Sequence, residues 1–322
     1  MTDGKKTEQI EGFTPAELAL LKAKQPDMLT DIEAGIPAAE EIARMFLTTH
    51  GSGEATRRKA TTTPPSAVQL PLWPEHLRAV PNTALRSALF GATIHKGGRI
   101  AYREPIAALA GIEITYSGPR LNQGDLDAWE AILHTLRGQN MGDTCRTTSY
   151  HLLKVMGLSN NGQNQKTLES RIARLNESAI KIQYGRYLYM GSLLDRAARD
   201  EVTQEWVIVL NPDLLDLFGP GRHTRLQWEV RRALAAKPLA QWLHGFFSSH
   251  AKPYPIKIET LYKLSGSEAG ELKTFTQKLK KSLTAVEAAS TAAGEVFNWR
   301  IEKGIVYVNR TPPNIPGQHG NQ

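Results

Sequence analysis

The chain has 322 residues, 41% of them hydrophobic and 22% charged, with one cysteine and a formal net charge of +7. That length can hold two domains of ordinary size, a single thiol excludes an internal disulfide, and no apolar run approaches the roughly eighteen residues of a membrane span. Residues 1–12 show no apolar leader core, so a cytoplasmic protein is expected.

The charge is uneven. Residues 1–67 carry eight Lys/Arg against ten Asp/Glu, which leaves +9 on the remainder. A basic folded region attracts polyanions through its field and through counterion release, although an ordinary solvated surface would show the same excess. In chain order, Thr14–Glu17 combines an N-cap, a proline at N1 and a glutamate at N3, and predicts a short helix to about Lys24. A second helix is expected over Pro37–Leu47, followed by a polar linker over His50–Ser66.

Two later segments share one grammar. Asp125–Arg137 is an apolar-striped helix, Tyr150–Met156 a short helix ending at Gly157, and 158–163 a polar turn. A longer helix of about Gln165–Ser178 follows, with Leu168, Ile172 and Leu175 on its apolar stripe, then strand-like stretches at 180–184, 187–193 and 206–210. In the second segment, Lys237–His250 is the first helix, Ile258–Leu264 the short one, and about Glu271–Ala288 the long one, with Leu272, Phe275, Leu279 and Leu283 expected inside. Residues 295–301 and 305–308 flank Glu302-Lys303-Gly304, a hairpin signal. Helix, glycine-containing turn, helix and hairpin make the winged helix-turn-helix. The expected fold class is therefore α+β, two tandem winged-helix domains with a partly disordered N-terminal arm. The expected boundaries are a flexible arm and linker over 1–67, an N-terminal domain over 68–219, a C-terminal domain over 220–310 and a disordered tail over 311–322.

A recognition helix turns an apolar face to its own core and hydrogen-bond donors to the major groove. In the C-terminal helix, Thr274, Gln277, Lys278 and Lys281 share a face, with Lys273 and Lys280 beside them. In the N-terminal helix, Thr167, Ser170, Arg171 and Arg174 line the matching face, with Asn164, Gln165 and Lys166 at its leading end. Arg186, Arg300 and Lys303 lie in or beside hairpin turns, where they could reach phosphate or the minor groove. A lone lysine-rich helix face is usually only solvated surface; two in the same context favour duplex DNA. No enzyme site, metal set or cofactor motif assembles: residues 91–98 lack the Walker A order, the histidines are scattered, and Cys145 reads as a small buried hydrophobe.

Val80–Phe90, Asn211–Phe218 with Trp228–Arg232, and Phe246–Thr260 resemble plasmid replication initiators of the TrfA type, within the iteron-binding initiator group. The resemblance covers roughly residues 68–310. It implies binding to direct repeats at an origin, with melting of the origin and recruitment of the host sliding clamp, DnaA and replicative helicase. It also implies a balance between active monomers and autoregulatory or inactive homodimers. Gln69, Leu70, Leu72 and Trp73 look like the Gln-Leu-x-Leu-Phe peptide by which such proteins bind the clamp, with Trp73 in place of the usual Phe and Pro71 at the variable position. The alternative is a staple that packs Leu72 and Trp73 against residues 77–90. For the whole chain, a winged-helix transcriptional regulator without a replication role and a rolling-circle nickase stand as rival readings. The nickase lacks recognisable metal-binding histidines beside a tyrosine nucleophile.

Overall fold

The computed structural model describes residues 70–93, 98–139 and 143–311, together with Leu18, Ala19 and Leu21, which are helical. The rest of the 14–24 helix, the 37–47 helix, the 50–66 linker, Gln69 and the tail from 312 lie outside the described residues. Apart from those three N-terminal positions and residues 183–188, the described residues belong to one compact unit. Among the described residues no helix is long and apolar enough to cross a membrane.

The element order begins β1 (Leu77–Pro81), α1 (Asn82–Leu85), β2 (Phe90–Gly91), β3 (Arg99–Ile106), β4 (Ile112–Pro119), β5 (Leu121–Asn122) and α2 (Gln123–Leu136). It continues with β6 (Thr144–Thr148), α3 (Ser149–Val155), α4 (Gly162–Asn176), β7 (Ala179–Tyr184), β8 (Tyr187–Gly191), β9 (Arg196–Arg199) and β10 (Glu205–Val209). After a 3-10 turn at Pro212–Phe218 come β11 (His223–Gln227), α5 (Trp228–Ala233), α6 (Pro238–Ser248), β12 (Ile256–Lys257), α7 (Ile258–Leu264), α8 (Leu272–Ala292), β13 (Val296–Glu302) and β14 (Ile305–Thr311).

Local chemistry sets the helix ends. Asn122 Oδ1 accepts from the Gly124 and Asp125 amides while Asp125 Oδ2 accepts from the Asn122 amide, a capping box that opens α2. Asn161 caps the Asn164 amide at 2.8 Å, so α4 starts at Gly162, three residues before the expected position. Helix α8 runs four residues beyond Ala288 because its buried stripe continues through Val286 and Ser290, and Gly294 (φ +76°) ends it.

The six elements α2, β6, α3, α4, β9 and β10 recur in order as α6, β12, α7, α8, β13 and β14. The sheet orders match as well, β6–β10–β9 and β12–β14–β13, with antiparallel pairing throughout. One expectation is corrected here. The hairpin directly after α4 is not the counterpart of β13–β14, because β7 and β8 join the β3–β4 hairpin in a four-stranded sheet of order β3–β4–β7–β8. The matching hairpin is β9–β10. Its first strand, Arg-Ala-Ala-Arg, has no β-branched or aromatic residue to announce it.

The second copy packs around Trp242, Leu243, Phe246, Phe247, Phe275, Leu279, Leu283 and Phe297, all buried. Trp129 is buried in the first copy, and Cys145 is a buried free thiol whose pKa is pushed up to about 12 by burial. The segment 77–93 ties the two copies together. Strand β1 pairs with β11, Trp242 Nε1 donates to the Ser87 carbonyl at 3.1 Å, and Arg86 Nε donates to Ser249 Oγ at 3.0 Å.

Candidate nucleic-acid interface

Helix α8 separates its two faces sharply. Phe275, Leu279, Leu283 and Val286 are buried, and Thr274, Gln277 and Lys281 stand exposed on the opposite ridge. Lys273, Lys278 and Lys280 flank that ridge and are also exposed. Leu272, expected inside, is 36% exposed, since a first-turn residue lies ahead of the core that the later turns cover. At 100° per residue the same ridge also holds Thr284 and Ala288, both exposed, which the sequence reading did not single out. Beyond it β13 and β14 form a two-residue turn with Lys303 (φ +48°) and Gly304 (φ +78°) at its tip, the geometry of a type I′ hairpin. Lys303 is exposed; Arg300 donates to Glu302 at 2.8 Å and lies over the Tyr307 ring at 4.2 Å.

Helix α4 keeps fewer of its polar groups open. Lys166 and Ser170 are exposed on the outer ridge, and Gln163, not anticipated, is exposed beside them. Asn164 Nδ2 donates to the Ser159 carbonyl at 2.7 Å, and Gln165 Nε2 to Asn160 Oδ1 at 2.8 Å, so both amides order the turn before the helix. Thr167 Oγ1 donates to the Gln163 carbonyl. Arg174 is drawn inward: its guanidinium binds the fully buried Asp125 carboxylate at 2.5 and 3.0 Å and also donates to Ser170 Oγ. Burial pushes the Asp125 carboxyl up, against the opposing bond from Arg174. Arg171 sits half-buried on the helix flank, with its guanidinium against Gly124 of α2. Arg186 is exposed in the β7–β8 turn, not in the β9–β10 hairpin that matches β13–β14. At that tip Arg199 is paired with Glu169 and Glu201, at 3.1 and 2.9 Å.

The 70–73 segment does not present its apolar residues together. Leu70 is 2% and Trp73 4% exposed, whereas Leu72 is 70% exposed. Trp73 Nε1 donates to Nδ1 of His134 in α2 at 3.1 Å, with the Arg137 guanidinium 5.7 Å from its ring centre. This corrects the staple reading: Trp73 is stapled without Leu72, and α2 makes its hydrogen bond. Among the described residues no group of three or more His, Cys, Asp or Glu is placed to hold a metal ion.

Two solved structures are similar to the chain at low identity. Domains 2 and 3 of RctB match at 15% identity and a TM-score of 0.48, over 70% of this chain and 95% of that one. The Pi initiator protein in complex with iteron DNA matches at 10% identity and a TM-score of 0.42, over 56% and 90%. By sequence, the plasmid replication initiator protein TrfA of Escherichia coli is 30% identical over 215 residues, 64% of this chain. The chain spans 56% of that relative's length. The family model of the TrfA protein matches residues 52–298, a stretch that takes in the first copy of the six-element repeat and the second as far as the start of β13, and the chain belongs to that family.

Proposed function

We propose that the chain is a plasmid replication initiator that binds repeated duplex sites at an origin through two winged-helix modules, with α4 and α8 as recognition helices. The carrying observation is the α8 ridge. Thr274, Gln277 and Lys281 are open and flanked by three exposed lysines opposite a buried apolar stripe, and a hairpin follows at once. Gln and Lys in that register suit adenine, guanine and phosphate contacts, and α4 offers Lys166, Ser170 and Gln163 in the matching place. Binding energy, rather than nucleotide hydrolysis, would then distort and open a flexible A+T-rich region. Membership of the TrfA family supports the same reading.

The test is binding to an array of repeats taken from the DNA beside the gene. Replacing Lys278 and Lys281 by Ala should weaken repeat binding about tenfold or more without changing circular dichroism. Equal binding by the double variant across a salt titration would refute this role for α8.

Recruitment of the host sliding clamp, DnaA and helicase belongs to the same proposal. Clamp binding requires Leu70 and Trp73 to leave their buried positions and join the open Leu72. A pull-down on purified clamp should retain the wild type and lose the Leu72→Ala/Trp73→Ala variant; no retention of the wild type would remove the clamp from the reading.

A further inference from the structure

A cleft of about 750 Å³ opens between the two copies of the repeat. Arg171 of α4 and Arg232 and Glu229 of α5 line it, with Asp127, Arg231 and Trp228 among the remaining lining residues. Arg231 is paired in place with Asp127 at 2.7 Å and lies 3.3 Å from Glu130. The charges left facing the cleft are Arg171 and Arg232 against Glu229 alone. Neither arginine forms a hydrogen bond or ion pair with another described residue.

Both guanidinium groups lie where a side chain is missing. A Cβ on Gly124 would stand 2.5 Å from Arg171 Nη2, and one on Gly157 would stand 2.5 Å from Arg232 Nε. Gly157 has φ +72° and would be glycine for its backbone alone, but Gly124, in the first turn of α2, has no such need. Its missing Cβ holds open the place that the Arg171 fork occupies. Two planar forks lining one cleft with the buried Trp228, neither bonded to another described residue, suit a tetrahedral anion held by paired N–H···O bonds.

We infer that this cleft is a phosphate-binding site at the junction of the modules. The phosphate comes either from the strand running between the two recognition helices or from a free polyphosphate; the strand source rests on the duplex-binding reading above. The assignment moves Arg171 from base reading to phosphate, and adds Arg232 to the DNA-facing set.

The experiment uses the full chain. Binding to random-sequence duplex is followed against salt for the wild type, Arg232→Ala, Arg232→Lys and Gly124→Ala, with a thermal melt of each as the folding control. If the strand supplies the phosphate, Arg232→Ala lowers the steepness of log K against log salt by about one. It also weakens random and repeat DNA by the same factor. Arg232→Lys restores the slope, and Gly124→Ala, which displaces the Arg171 fork, reduces it. If the source is a free polyphosphate, inorganic pyrophosphate alone shifts tryptophan emission in the wild type and not in Arg232→Ala, and DNA slopes stay equal. Unchanged slopes together with no response to pyrophosphate overturn the site, even where wild-type duplex binding is normal. A pyrophosphate response without any duplex binding keeps the site and refutes the duplex reading instead.

Discussion

Trp73 is held by a hydrogen bond that only one form of His134 can accept. The indole N–H points at Nδ1, so that nitrogen must be bare, and the remaining Nε2–H donates to Glu75 at 2.8 Å. Protonation would set a second N–H against the indole donor. Burial brings the His134 pKa down to about 4, despite the opposing bond to Glu75. Glu75 itself is held down to about 2, chiefly by Arg137 and then by His134, so it stays ionised while His134 titrates. A base with a lowered folded pKa contributes stability above its ordinary value near 6.5 and loses that contribution as pH falls through about 4. Acidification through about pH 4 should release Trp73 and shift its emission to the red. The shift should vanish in Trp73→Phe; equal responses from the two proteins would show that Trp73 stays in place. Arg174 carries a second lesson at this scale. Its position on the α4 face is legible from periodicity, but its partner Asp125 lies 49 residues upstream, and no local pattern announces a pairing across that separation.

Among the elements, α8 and its hairpin were the most legible. The 3.6-residue spacing of Phe275, Leu279 and Leu283 gives the buried stripe, and Glu302-Lys303-Gly304 gives the turn. Strands β1, β2 and β5 were not legible as partners. They span five residues or fewer, and β1 pairs with β11 nearly 150 positions later through backbone bonds that leave no local signature. The β9–β10 hairpin is hidden by composition, and the β7–β8 hairpin that carries Arg186 stands in its place directly after α4. The β13–β14 turn permits a clean separation of fold from binding. Lys303 adopts the left-handed conformation, which costs a non-glycine residue about 1 kcal/mol. Lys303→Gly should therefore raise the stability of the chain by up to about 1 kcal/mol in urea unfolding, while weakening duplex binding and its salt dependence. Unchanged binding would remove Lys303 from the interface; lower stability would contradict the turn geometry.

Across the whole molecule, the stretches that carry the family likeness largely build the joint between the repeat copies rather than the outer ridges. Asn82, Ser87, Arg231 and Ser249 are all buried there. Asn82 Nδ2 donates to the Gly221 carbonyl and Thr224 Oγ1 donates to Asn82 Oδ1, at 3.0 and 2.6 Å. Arg231 is the centre of the joint, linking α5 to Asp127, Glu130 and Gln123. The Glu130 carboxylate is fully buried and accepts no hydrogen bond, and burial raises its pKa against the pull of Arg231. An acid with a raised folded pKa binds a proton in the fold that the unfolded chain has already lost. Stability from this group therefore declines as pH rises above the ordinary carboxylate range. The isosteric Glu130→Gln cannot ionise. Its urea midpoint relative to the wild type should climb steadily from pH 5 to pH 8, because the wild type alone must hold the buried charge. The buried histidines His244 and His250, lowered by burial to about 3 and about 4, titrate in both proteins and cancel from the difference. Arg231→Ala acts in the opposite direction, since it strands Glu130 and Asp127 without their cation and should cost about 3–5 kcal/mol. A flat difference for Glu130→Gln across that pH range would mean that Arg231 already compensates Glu130 in full, and that the joint stores no pH-dependent strain.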